Sequence, residues 1–206
     1  PHSDQLDYQV MAEDVRQLII RLGLKSCSIV GHSMGGKVAM QLALNSPDLV
    51  DKLVIVDIAP VSYTEDADSH MNVLAAMDAV KLSEIQSRTE AEVTLEDYIP
   101  QEALRKFVLK NLARNNEGSY EWRLHNDSIR ENYAKLRSEL VSTKSFSKPV
   151  LFVKGSLSLY IKPEYETQIK EFFPVASVKL IMDAGHWLHA EQPQALQKIL
   201  LKFLPS

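Results

Sequence analysis

The feature that most limits the folds open to this chain is a short segment, Gly31-His32-Ser33-Met34-Gly35, between an apolar run and a helical pattern. It matches G-x-S-x-G, the nucleophile elbow, in which a serine occupies a sharp turn from strand to helix. We expect glycine at 31 and 35 because side chains there would clash within a strained turn. A helix that begins at Met34 would aim backbone N–H groups at the serine, so the Met34 N–H is a candidate oxyanion donor. A passive serine in a glycine-rich turn is the alternative, but the flanking strand and helix favour a nucleophile, Ser33.

Short apolar runs recur along the chain and are typical of buried strands. They are Cys27–Val30, Leu53–Val56 and Val150–Val153. The segment Ser177–Met182 alternates less cleanly but is compatible with a further strand. Helical segments lie between and around them, at residues 8–22, 37–45, 164–172 and from Pro193 onward. Apolar residues at three- and four-residue spacing predict the first and the last of these helices. This alternation predicts an α/β fold with an open, mostly parallel sheet and helices on both faces.

Residues 61–147 differ from the rest because they are richer in charge and carry two amphipathic helical patterns. No strand pattern is convincing in this segment. We therefore predict an inserted helical lid at 61–147 and a core formed by residues 1–60 and 148–206.

A serine hydroxyl needs a base within hydrogen-bond reach before it can attack a carbonyl carbon. His186 follows a predicted strand and a glycine, at the carboxyl end of the sheet, where sites of this fold class form. We predict that His186 is the general base. His189 is expected to begin the approach to the last helix, and His32 is interpreted as structural, with a side chain that points away from the serine.

The base needs a carboxylate that fixes its tautomer. Many proteins of this fold place that acid after the strand that here is Val150–Val153, but loop 155–160 contains none. The end of the preceding strand reaches the same space and carries Asp57, which we predict to be the acid. Asp127 is the rival, although it could instead cap a lid helix. The chain order serine, aspartate, histidine is the one expected of α/β hydrolases.

Three segments together resemble the signature regions of one α/β-hydrolase subfamily. They are GHSMGGK at 31–37, VDIAP at 56–60 and DAGHWLHAE at 183–191. The subfamily includes alpha/beta-hydrolase domain-containing protein 11 of animals, bacterial YbfF-type esterases and relatives of yeast ethanol acetyltransferase. The resemblance implies an esterase or thioesterase that acts beneath a helical lid, with Asp57 as the acid. It also implies an intracellular location, mitochondrial if the chain follows the animal members and cytoplasmic otherwise.

Enzymes of this fold have further strands before the elbow strand, and a loop among them supplies a second oxyanion N–H. Only one predicted helix precedes the elbow strand here. We therefore expect a chain that lacks the first strands of the fold. An elbow strand without its outer neighbour would be an apolar edge prone to self-association.

Composition and charge limit the kinds of partner and cofactor that we expect for this chain. The chain has 206 residues and a net charge of −4, which gives no electrostatic reason for a nucleic-acid partner. No apolar run approaches the ~18 residues of a membrane span. Cys27 is the single cysteine, and no Cys/His cluster has the spacing of zinc ligands. We expect no metal and no cofactor, and a small-molecule acyl ester or thioester as the partner.

These observations predict a serine hydrolase that cleaves carboxylic esters or thioesters of small-to-medium acyl groups through an acyl-enzyme. Two alternatives remain open. An acyltransferase would use the same three residues with an alcohol in place of water. A truncated binding protein without activity would fit the missing strands, whereas the complete set Ser33, Asp57 and His186 favours an enzyme.

Overall fold

The computed structural model describes residues 4–63 and 67–204. The elements, in chain order, are α1 (Tyr8–Arg21), β1 (Cys27–His32), α2 (Met34–Asn45), β2 (Val50–Val56), α3 (Ala67–Ala79), α4 (Arg88–Glu96), α5 (Glu102–Leu109), β3 (Leu112–Arg114), β4 (Tyr120–Trp122), α6 (Asn126–Glu131), α7 (Tyr133–Arg137), β5 (Val150–Gly155), α8 (Glu166–Phe172), β6 (Ser177–Ile181), α9 (Leu188–Glu191) and α10 (Pro193–Phe203). Single 3₁₀ turns occupy Pro47–Leu49 and Pro163–Tyr165.

The main sheet has the strand order β1-β2-β5-β6, and every neighbouring pair is parallel. The predicted α/β class and parallel sheet are therefore confirmed. In β2 the residues Leu53–Val56 are almost fully buried, as expected for a strand covered on both faces. Among the described residues, β1 and β6 are the edge strands.

Helices cover both faces of this sheet. On one face, Val54 and Val56 pack in a buried cluster with Leu188 and Leu196, which belong to α9 and α10. On the other face, Gly36 of α2 lies against the side chains of Ile55 and Ile58. Successive strand side chains point to opposite faces, and this alternation places α2 and α10 on opposite sides of β2.

Helix α1 begins at the predicted residue, Tyr8, and ends at Arg21, one residue before the predicted limit. The Asp7 carboxylate accepts hydrogen bonds from the N–H groups of Gln9 and Val10, which satisfies donors that a helix start leaves unpaired. Gly23 follows the helix with a φ of 69°, a left-handed conformation that glycine adopts without strain.

The chain divides into two compact units. The sheet, α1, α2 and the helices after β5 form one unit, which spans Leu6–Ser62 and continues from Lys135. The other comprises the described parts of Pro1–Gln5 and Tyr63–Ala134. The limits 61–147 of the inserted lid were expected from sequence and stay a prediction.

The second unit is not purely helical, and the expectation of a segment without strands is wrong. Strands β3 and β4 pair antiparallel, with Arg114 opposite Tyr120. The turn between them uses Gly118 at a φ of 83°, and the Asn115 side chain accepts from the N–H groups of Glu117 and Ser119. Strands of three residues are too short to show an alternation in the sequence, which is why the pattern was missed. The unit has its own core around Leu95 and Leu112.

Lys37 holds together three parts of the sheet-containing unit. Its side chain is buried, and its Nζ donates to the carbonyl of Val61 at 2.7 Å and to that of Ser138 at 2.6 Å. The Tyr8 ring lies beside this ammonium group, with its centroid 5.3 Å from Nζ, and the Tyr8 hydroxyl donates to the carbonyl of Leu136. One side chain on α2 therefore ties the segment after β2 to the segment that returns toward β5.

Candidate active site

The carboxyl ends of the four parallel strands bring the predicted site residues together. His32 pairs with Val56, and Val56 pairs in turn with Val153. Ser33 and Asp57 follow β1 and β2 directly, and each continues the ladder with one N–H bond, to Val56 and to Val153 respectively. Because the strands end level with one another, the residues after them meet at one edge of the sheet.

Ser33 occupies the turn between β1 and α2 with a φ of 52° and a ψ of −125°. A non-glycine residue in such a conformation is strained, and strain of this kind is typical of functional turns. A Cβ on Gly31 would lie 2.3 Å from the Gly35 carbonyl oxygen, and one on Gly36 would lie 2.5 Å from Ile58. A Cβ on Gly35 would meet nothing within 4 Å. The expected clash at position 35 is therefore wrong, and the residues that must stay small are Gly31 and Gly36.

His186 bridges the serine and the aspartate. Its Nε2 lies 2.9 Å from Ser33 Oγ, and its Nδ1 lies 2.8 Å from Asp57 Oδ2. A carboxylate can only accept, so Nδ1–H donates to Asp57 and the Nε2 lone pair faces the serine hydroxyl. The structure thus brings the predicted residues Ser33, His186 and Asp57 into one hydrogen-bonded series.

Asp57 is fully buried, so its negative charge needs nearby donors. Oδ1 accepts from the Gly155 N–H at 3.2 Å, and Oδ2 accepts from the Ser158 hydroxyl as well as from His186. Ser158 stands in the loop after β5, where sequence reasoning looked for an acid and found none. That loop supplies a hydroxyl donor instead, and only its fold distinguishes Ser158 from the neighbouring Ser156.

The imidazole of His186 is enclosed by other rings. Tyr160 stacks on it with a centroid separation of 4.0 Å, and the His32 ring lies 4.8 Å away. His32 Nε2 donates to the backbone carbonyl of His186 at 2.8 Å. The His32 side chain therefore faces the loop that carries His186, and its structural role stays a prediction. Burial is the largest influence on His32 and lowers its pKa below the usual value.

Met34 is the first residue of α2 and has a half-exposed side chain. The first N–H groups of a helix have no partner within the helix, and this one is adjacent to Ser33 in the chain. His189 lies in α9, and its ring is 5.0 Å from that of His32.

Asp127, the rival acid, lies in the first turn of α6 in the other unit. Its exposed carboxylate accepts from Arg130 at 3.2 Å. The N-cap of α6 is His125, so the suggested capping role for Asp127 is wrong.

Comparisons with known proteins agree with this architecture. The family described as alpha/beta hydrolase fold matches residues 1–193. The chain is 38% identical to the mouse "sn-1-specific diacylglycerol lipase ABHD11", over 99% of the chain and 67% of that protein. It is 31% identical to "Esterase YbfF" of Escherichia coli K12, over 99% of the chain and 77% of that protein. The chain thus spans about two thirds of the length of the mouse relative.

A solved structure entitled "Marine microorganism esterase" superposes on the chain with a TM-score of 0.95 at 41% identity, covering 99% of this chain and 80% of the other. The helices in the described part of the chain are all too short or too polar to span a bilayer.

Proposed function

This chain belongs to the alpha/beta hydrolase family, and on that premise we propose that it is a serine hydrolase that cleaves carboxylic esters or thioesters. The hydrogen-bonded series Ser33, His186, Asp57 is the observation that carries the proposal. The names of the relatives, which include an esterase and a lipase, support it.

In the proposed reaction, Ser33 Oγ attacks the acyl carbon while His186 Nε2 takes the hydroxyl proton. Asp57 keeps Nδ1 protonated and stabilises the imidazolium that forms. The Met34 N–H donates to the oxyanion of the tetrahedral intermediate. His186 then gives its proton to the leaving alcohol or thiol, and an acyl-serine remains. A water molecule, deprotonated by His186, releases the acid by the same steps in reverse order.

The acyl chain length belongs to the same proposal. We propose esters of small-to-medium acyl groups as the preferred substrates; two of the relatives are named esterases. The name of the mouse relative points instead to diacylglycerols. A series of p-nitrophenyl esters from two to sixteen carbons separates the two, because a maximum at sixteen carbons contradicts the proposed range.

The nucleophile is tested with a fluorophosphonate probe on purified protein, read by intact mass. We expect a single adduct on Ser33, and none in Ser33→Ala. Ser158→Ala is a suitable companion, because its hydroxyl lies in the same site and should not react. An adduct that persists in Ser33→Ala excludes Ser33 as the nucleophile.

A further inference from the structure

We propose that Glu191 is a positioning residue for His186, acting through the two peptide groups that flank the base. This inference rests on the proposed function. The Gly185 N–H donates to Glu191 Oε2 at 2.6 Å, and the Trp187 N–H donates to Oε1 at 3.0 Å. One carboxylate therefore holds the backbone immediately before and immediately after His186.

The carboxylate is itself held in place by the sheet. Leu188 opens α9 and is fully buried in the cluster that contains Val54 and Val56 of β2. The Glu191 N–H donates to the Trp187 carbonyl at 2.9 Å, so Trp187 and Glu191 bond to each other in both directions. The buried Leu188 thus fixes α9, and α9 fixes Glu191 beside the loop that carries His186.

A second contact holds the loop that carries His186 from the side of β1. His32 Nε2–H donates to the carbonyl of His186 itself. The base is therefore held from the strand β1 side through its carbonyl and from the α9 side through its neighbours. A base that must lie 2.9 Å from Ser33 Oγ is sensitive to such support, because a misplacement of 1 Å costs about 10²-fold in rate.

Gly185 gives the carboxylate room to approach. A Cβ at this position would lie 3.3 Å from each Glu191 carboxylate oxygen, which is tight enough to push the carboxylate by a few tenths of an ångström. Gly185 is not among the described residues with positive φ. Gly185→Ala should therefore disturb the loop mainly through Glu191.

The test measures kcat and KM for p-nitrophenyl butyrate with Glu191→Ala and Glu191→Gln, in the wild-type and the His186→Ala backgrounds. We expect Glu191→Ala to lower kcat about 10- to 100-fold, with KM changed less than about threefold. Glu191→Gln keeps one accepting oxygen and should lose less. Because Glu191 acts through His186, its removal should change the residual rate of His186→Ala by less than about twofold.

Two controls separate this role from a general loss of structure. Glu171→Ala removes another exposed carboxylate, on α8, and should leave kcat unchanged. Gly185→Ala should lower kcat when Glu191 is present and have no further effect in Glu191→Ala, because the two changes act on one contact.

A Glu191→Ala variant within about twofold of wild type overturns the inference, and so does an equal loss in the His186→Ala background. Failure of the proposed function is a different result. In that case wild type and Ser33→Ala turn over the ester at the same rate, whatever residue 191 is.

Discussion

Oδ2 of Asp57 and Nδ1 of His186 lie 2.8 Å apart, although 129 positions separate the two residues in the chain. This contact predicts how a substitution of Asp57 changes the rate. Asp57→Asn should lower kcat for p-nitrophenyl butyrate by about 10⁴-fold, because an amide at this position favours the wrong histidine tautomer. Asp127→Asn is the control, since Asp127 pairs with Arg130 on α6, and it should retain wild-type turnover. The acid assignment is wrong if Asp127→Asn is the variant that loses activity.

The Ser158 hydroxyl donates to the same buried carboxylate. Removal of this hydroxyl should therefore act on the site through Asp57. Ser158→Ala takes one donor from a buried charge, which costs about 1–3 kcal/mol of unfolding free energy. We expect kcat to fall about tenfold with little change in KM. Urea unfolding and steady-state kinetics measure both effects. Ser28→Ala, at an exposed position of β1, provides the comparison, because Ser156 in the same loop accepts from the Asp183 N–H. Equal effects of Ser158→Ala and Ser28→Ala would contradict the contact.

Gly31 and Gly35 are equivalent in the motif but not in the structure. Gly31→Ala places a Cβ 2.3 Å from the Gly35 carbonyl, so the elbow must shift, and we expect a loss of kcat of at least about 10²-fold. Gly35→Ala meets nothing within 4 Å and should retain most activity. Thermal unfolding of both variants shows whether each still folds. Similar losses in the two would refute the geometry described for the elbow.

Lys37 makes stability depend on pH. Burial lowers the pKa of Lys37 to about 8, against a smaller opposing effect of the Glu139 charge, whereas an unfolded lysine titrates near ~10.4. Between these values the unfolded state binds more protons, so the free energy of unfolding rises with pH. Relative to Lys37→Met, the wild type should gain about 2 kcal/mol from pH 7 to pH 9.5. Urea unfolding at several pH values tests this, and parallel curves for the two proteins would exclude it.

Strand β1 pairs with β2 alone among the described residues, and its Val30 is half-exposed. An apolar edge of this kind recruits other strands. We expect the isolated 206-residue chain to self-associate at micromolar concentrations and Val30→Lys to shift it toward monomer. Light scattering after gel filtration measures the mass. Val93→Lys changes an equally apolar, exposed position on α4 and should have no effect; monomers at every concentration would contradict the prediction.

The sequence was most informative where chemistry coincides with the end of a strand. Ser33, Asp57 and His186 could be selected because each comes shortly after a predicted strand, and the structure brings them together. Their roles stay predictions. Glu191 was missed because it is an exposed glutamate, which a sequence presents as a solvated charge. Its importance depends on the backbone N–H groups that it faces.

Two other misses have a different physical cause. Lys37 was missed because lysine is almost never fully buried, and only the carbonyls of two distant segments make its burial possible. The hairpin β3–β4 had one usable signal, the turn from Asn115 to Gly118, but its strands were too short to support it. In both cases the deciding contacts lie outside the local pattern.

The two hydrogen bonds that Lys37 donates, to the carbonyls of Val61 and Ser138, have a consequence for protein engineering. Both carbonyl oxygens lie within 2.7 Å of the same nitrogen, so the chain leaves the sheet and returns to it through neighbouring points. A residue spans up to ~3.5 Å, and two or three residues could therefore join these points directly. The intervening segment could be exchanged for a short linker, or for the corresponding segment of a relative, while the bonds that close the sheet-containing unit stay in place. Lys37 thus marks the two points between which the segment could be replaced as a unit.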